Sequence, residues 1–192
     1  MTDNSEGWEA IAERFMRVRS PIGTALIRRW AQDRLAPSAA IIDIGCGSGV
    51  PIARALVGDG FRVSGIDASP TLIDAFRRNL PGSPAACECA QESSFFGRTF
   101  AGAILIGLVF LLKSEDQRQL LTRIADALAP SGRLLFTAPR ESCEWYDTLT
   151  GRLSISLGED AYAQHLNAAG LTIFCCLTDE GGNNYYDVMK SV

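Results

Sequence analysis

The chain has a single histidine, His165, and no two of its six cysteines form a C-x-x-C pair. A Cys/His zinc site would have to draw its ligands from scattered positions, so no metal is expected. Four of the cysteines stand in apolar, strand-like runs and read as buried thiols. No uninterrupted apolar run nears the roughly 20 residues of a membrane span, and the opening M-T-D-N-S-E has no basic segment leading into an apolar one. These absences predict a cytoplasmic, reduced protein with no membrane partner. Basic charge is short as well: 18 Lys and Arg against 22 Asp and Glu leave a net charge of -4. That balance argues against gripping nucleic acid through an overall field. The arginines near the N-terminus (Arg14, Arg17, Arg19, Arg28, Arg29, Arg34) read as solvated helix faces. There is no internal repeat or low-complexity tract. At 192 residues and 47% hydrophobic content, the chain has the size of one domain with a substantial core.

What is present is concentrated between Ala40 and Pro51, A-I-I-D-I-G-C-G-S-G-V-P. Ala40 to Ile44 is a short, mostly β-branched apolar run that suits a strand covered on both faces. Gly45, Gly47 and Gly49 then fall on every second residue, and an apolar helical pattern follows, so the glycines occupy a strand-to-helix turn. Such residues take positive φ and let a ligand approach the backbone, while the following helix start offers unpaired N–H groups. A dinucleotide fingerprint would need its third glycine at position 50, where Val50 stands. This argues against a nicotinamide-dependent oxidoreductase.

The run D-I-G-C-G-S-G, Asp43 to Gly49, instead resembles the first motif of class I S-adenosylmethionine-dependent methyltransferases, in which an acidic residue precedes G-x-G-x-G by one residue. A second strand from Phe61 ends at Asp67, whose carboxylate is placed to accept from both ribose hydroxyls. Ser69 and Pro70 already supply the N-cap and first position of the next helix, so Asp67 is not needed as a cap. The resemblance covers about Ala40 to Pro139 and includes the L-x-P-x-G turn from Leu128 to Gly132. It implies S-adenosylmethionine as cofactor, held by Asp43, Gly45, Cys46, Gly47, Gly49, Asp67, Ala68 and Gly107. Family members often carry an aspartate near position 90 for the adenine amino group and another after the phenylalanine that opens strand four. Here Ala90 and Ala101 stand there, which leaves Gln91 or Glu92 for adenine.

Strands are expected at Ala40–Ile44, Phe61–Ile66, Ala85–Ala90, Phe100–Ile106 and Arg133–Ala138, alternating with helices from Pro51, Pro70 and Ser114. Ser114 with Gln117 has the capping-box pattern, and Pro130-Ser131-Gly132 ends that helix. This rhythm implies βαβ units and a parallel sheet. By the resemblance, a helix at Ala161–Ala169 and strands near Leu171–Leu177 and Tyr185–Met189 complete a Rossmann-like, doubly wound α/β sheet of seven strands, mostly parallel with an antiparallel last strand. Residues 1–192 form a single domain: an N-terminal helical flank or lid over 1–35, a cofactor-binding core over 40–139, and a substrate loop with C-terminal hairpin over 140–192.

Pro139 to Gly158 is long for a strand-to-helix connection, and its Trp145, Tyr146, Asp147 and Thr150 favour a substrate loop over disorder. Trp145, Tyr185 and Tyr186 are the expected acceptor contacts. Should a general base be needed, Tyr185, Tyr186 or Asp147 is expected to serve. Ile104 to Phe110 offers no oxygen-bearing side chain to a hard cation, so transfer should be metal-independent. The acidic charge and single domain point to a small-molecule acceptor. The alternative is a catalytically inactive cofactor-binding subunit, for which Ala90 and Ala101 are the support.

Overall fold

The computed structural model describes residues 5–191, so M-T-D-N, used above to judge the N-terminus, lies outside it. The strands β1 (Ala40–Ile44), β2 (Arg62–Asp67), β3 (Ala85–Cys87), β4 (Phe100–Leu105), β5 (Leu128–Thr137), β8 (Leu171–Thr178) and β9 (Asn184–Lys190) form one sheet in the order β3-β2-β1-β4-β5-β9-β8. Only β9 runs against its neighbours, pairing antiparallel with both β5 and β8. The seven-stranded, mostly parallel sheet expected from the sequence is therefore the one formed.

The sheet is buried on both sides because its strands carry apolar residues at consecutive positions. Ile42, Phe136 and Tyr186 face α5 (Ser114–Ala127) and α6 (Glu159–Ala168), while Ile41, Leu135 and Tyr185 face α2 (Thr24–Arg34), α3 (Ile52–Gly58) and α4 (Pro70–Asn79). The fully buried carboxylate of Asp187 on β9 accepts from Trp30 Nε1 and Arg34 Nε, each at 2.9 Å, and so ties α2 to the sheet. A buried charge without such partners would cost several kcal/mol. α1 (Trp8–Val18) has a different anchor. Its Glu9 accepts from Thr71 Oγ1 at 2.6 Å and from Ser69 Oγ, at the start of α4.

Three expectations need correction. The third strand stops at Cys87 instead of Ala90. Strand five begins at Leu128, which pairs with Phe100 before a register shift around Pro130 to Gly132. Ser114 is not an N-cap: the cap position is Lys113, without a side-chain bond, and Gln117 turns inward. Its Nε2 donates to the carbonyls of Leu112 (2.9 Å) and Ile155 (2.8 Å), and its Oε1 accepts from Tyr162 Oη (2.7 Å). Fully buried, Gln117 answers three groups that would otherwise be orphaned, which outweighs a single cap bond.

The segment after Pro139 is also more regular than a loop. It holds an antiparallel hairpin of β6 (Cys143–Tyr146) and β7 (Leu153–Ser156), separate from the main sheet. Asp147 builds its turn by accepting from the backbone N–H of Leu149 and Thr150 and from Thr150 Oγ1. Trp145 packs its ring on Phe110 at 5.2 Å.

Candidate active site

The strand order reverses between β1 and β4, and a cleft opens at the carboxyl ends of β1, β2 and β4, where open α/β sheets bind ligands. Counting its solvent-filled mouth, it encloses about 990 Å³. Its floor is the glycine turn. Gly45 and Cys46 both donate their N–H to the Ile66 carbonyl (2.8 and 3.0 Å), and Gly47 donates to Asp67 Oδ2 (2.9 Å), so the end of β2 holds the turn in shape. Gly49 is needed there for packing: its φ is 75°, and a Cβ would lie 2.7 Å from the Phe76 ring.

Asp67 also accepts from Ser69 N–H through Oδ1 at 2.9 Å. Each carboxylate oxygen has a further lone pair, so two more donors can be accepted. Ser69 caps α4 with its own hydroxyl, accepting from Leu72 N–H, and Pro70 is the first helical residue, as the sequence indicates. Burial raises the Asp67 carboxyl above its usual range, the N–H bonds from Ser69 and Gly47 opposing. Asp43, 3% exposed beneath the turn, is pushed up to about 7 by burial, with Arg19 opposing and Asp67 adding to the shift.

Of the residues proposed from the sequence, Gly45, Gly47, Asp67, Ala68, Gln91 and Gly107 line the cleft together. Asp43, Cys46 and Gly49 lie behind its floor, with the Cys46 thiol buried and its pKa raised by burial. Glu92 is exposed and is not part of the cleft wall. Trp145, Asp147, Tyr185 and Tyr186 are not part of the wall. The two tyrosines, taken above as acceptor contacts and base candidates, are core residues. Adjacent on β9, they point to opposite faces of the sheet, 2% and 0% exposed, with hydroxyls donating to Asp179 (2.9 Å) and to the Pro139 carbonyl (3.3 Å). Burial raises both phenol pKa values, further from the range of a base. Asp147 is occupied in the hairpin turn described above.

Other residues take the vacated places. Because β3 ends early, Glu88 reaches the wall, and its Oε2 is buried with no hydrogen-bond partner. The roof comes from α1, through Trp8 and Phe15, with Arg19 just after it, and from the hairpin, through Thr150, Arg152, Leu153 and Ser154. Arg152 pairs with Glu6 at 3.1 Å, joining the two halves of the roof. The aromatic stripe of α1 is visible in the sequence, but such stripes are more often core than ligand contacts. Thr150 falls in the segment expected to be a substrate loop, but nothing in the local sequence marks Arg152, Leu153 or Ser154.

A twisted, mostly parallel sheet with a glycine turn after its first strand and an acidic residue at the end of its second defines a Rossmann-like nucleotide-cofactor fold. A family model described as "Methyltransferase domain" matches residues 12–180. The chain belongs to this family, that of the class I S-adenosylmethionine-dependent methyltransferases. Among solved structures, it resembles CcbJ methyltransferase from Streptomyces caelestis (13% identity, all of both chains, TM-score 0.76). It also resembles 1,6-didemethyltoxoflavin-N1-methyltransferase from Burkholderia thailandensis (17% identity, 96% of this chain and 84% of that one, TM-score 0.76). CalS10, an amino pentose methyltransferase from Micromonospora echinaspora, aligns over 94% of this chain and 95% of its own with 17% identity and a TM-score of 0.74. No curated protein matches the chain in sequence.

Proposed function

We propose that the chain transfers a methyl group to a small-molecule acceptor, with the cofactor lying across the glycine turn. When bound, S-adenosylmethionine supplies an electrophilic methyl on a positively charged sulfur. The observation that carries the reading is Asp67, which lines the cleft at the end of β2 with lone pairs left for two ribose hydroxyls. The residues on the wall fit the rest of the cofactor. Glu88, in place of Gln91 or Glu92, offers a buried acceptor atom that needs a donor such as an adenine amino group. Arg19 supplies positive charge for the methionine carboxylate. Neighbours of this fold act on small molecules, by the names of CalS10 and the didemethyltoxoflavin enzyme.

Calorimetry with S-adenosylmethionine and its demethylated product tests this. Asp67→Ala and Glu88→Ala should each cost about 1.5 to 3 kcal/mol of binding, the scale of hydrogen bonds to a charged group. Binding of NADH in place of S-adenosylmethionine would overturn the reading.

Transfer is metal-independent in this proposal. The wall after β4 is Ile106, Gly107 and Leu108, which bring no side-chain oxygen to a hard cation. Alignment of acceptor and methyl is then the main contribution, worth up to roughly 7 to 11 kcal/mol of the barrier. Turnover should survive EDTA, and loss that magnesium restores would contradict it.

A further inference from the structure

Resting on the methyl-transfer reading, the polar groups of the cleft can be apportioned, and few remain for the acceptor. Asp67, Glu88 and Arg19 serve the cofactor, Gln91 follows Glu88 in the same stretch, and the Ser5 hydroxyl accepts from Glu9 N–H at 2.8 Å. Of the polar side chains on the hairpin, Thr150 donates its hydroxyl to Asp147 at 2.8 Å and accepts from Arg152 N–H at 3.3 Å. Arg152 is held by Glu6, and both are partly in solvent at the mouth, with side chains 54% and 37% exposed. That leaves Ser154. It is 1% exposed, it lines the cleft, and its Oγ is buried without a hydrogen-bond partner. The cleft lining includes the apolar Leu108, Leu111, Leu112 and Leu153, and β7 packs on the turn Val109–Leu111.

An unanswered buried hydroxyl costs about 1 to 3 kcal/mol, so one kept facing a cleft points to a ligand atom that answers it. The same cost, applied to the ligand, selects the acceptor. A sugar or nucleoside would bring several hydroxyls against a wall in which Leu108, Leu111, Leu112 and Leu153 answer none. We propose that Ser154 determines acceptor specificity, and that the acceptor is a small, apolar-bodied molecule. It carries the methyl-accepting atom and one further hydrogen-bonding group, which docks on Ser154 Oγ.

The probes are dihydroxynaphthalenes, the mononaphthols that lack the second hydroxyl, and adenosine and glucosamine as polar competitors. The wild-type protein should methylate the dihydroxynaphthalenes in preference to the polar pair. With a dihydroxynaphthalene, Ser154→Ala should raise KM about tenfold, the worth of one hydrogen bond, and change kcat little. With a mononaphthol the loss should be several-fold smaller, because the partner group is already missing. A purely structural serine would show no such coupling. The unliganded Ser154→Ala protein should melt at the wild-type temperature or above it, since no bond within the protein is lost. Four results would overturn the proposal: a lowered melting temperature, an equal KM change on both acceptors, preference for the polar pair, or no turnover of any naphthol while S-adenosylmethionine still binds. Failure of S-adenosylmethionine itself to bind would instead sink the methyl-transfer reading.

Discussion

Asp43 sits beneath the glycine turn with almost no solvent contact, and burial lifts its carboxyl from 3.8 to about 7. The folded protein therefore holds a proton that the unfolded chain releases at a lower pH. Between about pH 4 and 7 the native state binds more protons than the unfolded one, so this group's contribution to stability is full below its unfolded pKa and is lost as pH rises through its folded one. The loss is on the order of 4 kcal/mol at most. Asp67 is shifted in the same direction. Two carboxyls that are costly to ionise, one beneath the floor of the cleft and one on its wall, suit a cationic ligand, which repays that cost. Melting temperature should fall from pH 4 toward pH 7.5, and Asp43→Asn should flatten the fall. Affinity for S-adenosylmethionine should rise over the same window with proton release, measurable by calorimetry in buffers of different ionisation enthalpy. A pH-independent affinity would show that binding does not change the protonation of Asp43 in this window.

At the scale of elements, the hairpin β6–β7 roofs one side of the cleft, and it is tied to the core through Gln117. Gln117→Leu would strip the partners from Leu112 O, Ile155 O and Tyr162 Oη at once. About 2 to 4 kcal/mol of stability should go, and amide exchange should quicken first in Cys143–Tyr146 and Leu153–Ser156. Uniform exchange across the sheet would place the loss elsewhere. Gln117 also shows where sequence reasoning ends. The parallel strands were legible because a run such as Ala40 to Ile44 can be buried on both faces only in one way, and the glycine turn because its spacing has a steric cause. Asp67, Gly45 and Gly107 followed from those two facts. The hairpin did not. C-E-W-Y and L-S-I-S are four residues each, too short for periodicity to assert itself, and Gln117 fits a local capping pattern until the tertiary partners are known. Tyr185 and Tyr186 misled for the related reason that a tyrosine pair near a strand end has the same composition whether it faces a pocket or the core.

For the molecule as a whole, the sheet and its packed helices make a rigid floor, and the cleft is roofed by two pieces that the sheet does not include. α1 reaches it from one side, fixed to the start of α4 through Glu9, with the Phe15 ring in near contact with Gly47. The hairpin reaches it from the other, and Glu6–Arg152 spans the gap. The pair is too solvated to contribute more than about 1 kcal/mol, so the roof can part there at little cost while its anchors hold. Ligand entry should therefore be sensed by α1. The chain has three tryptophans, Trp8, Trp30 and Trp145. Trp8 lines the cleft and meets Phe15 edge-on at 5.3 Å, Trp30 is buried behind the sheet on Asp187, and Trp145 packs at a tilt on Phe110 outside the wall. Addition of S-adenosylmethionine should change the intrinsic fluorescence, and Trp8→Phe should abolish most of that change while Trp30→Phe retains it. If the signal survives in Trp8→Phe and vanishes in Trp145→Phe, the hairpin is the moving part of the roof and α1 is fixed.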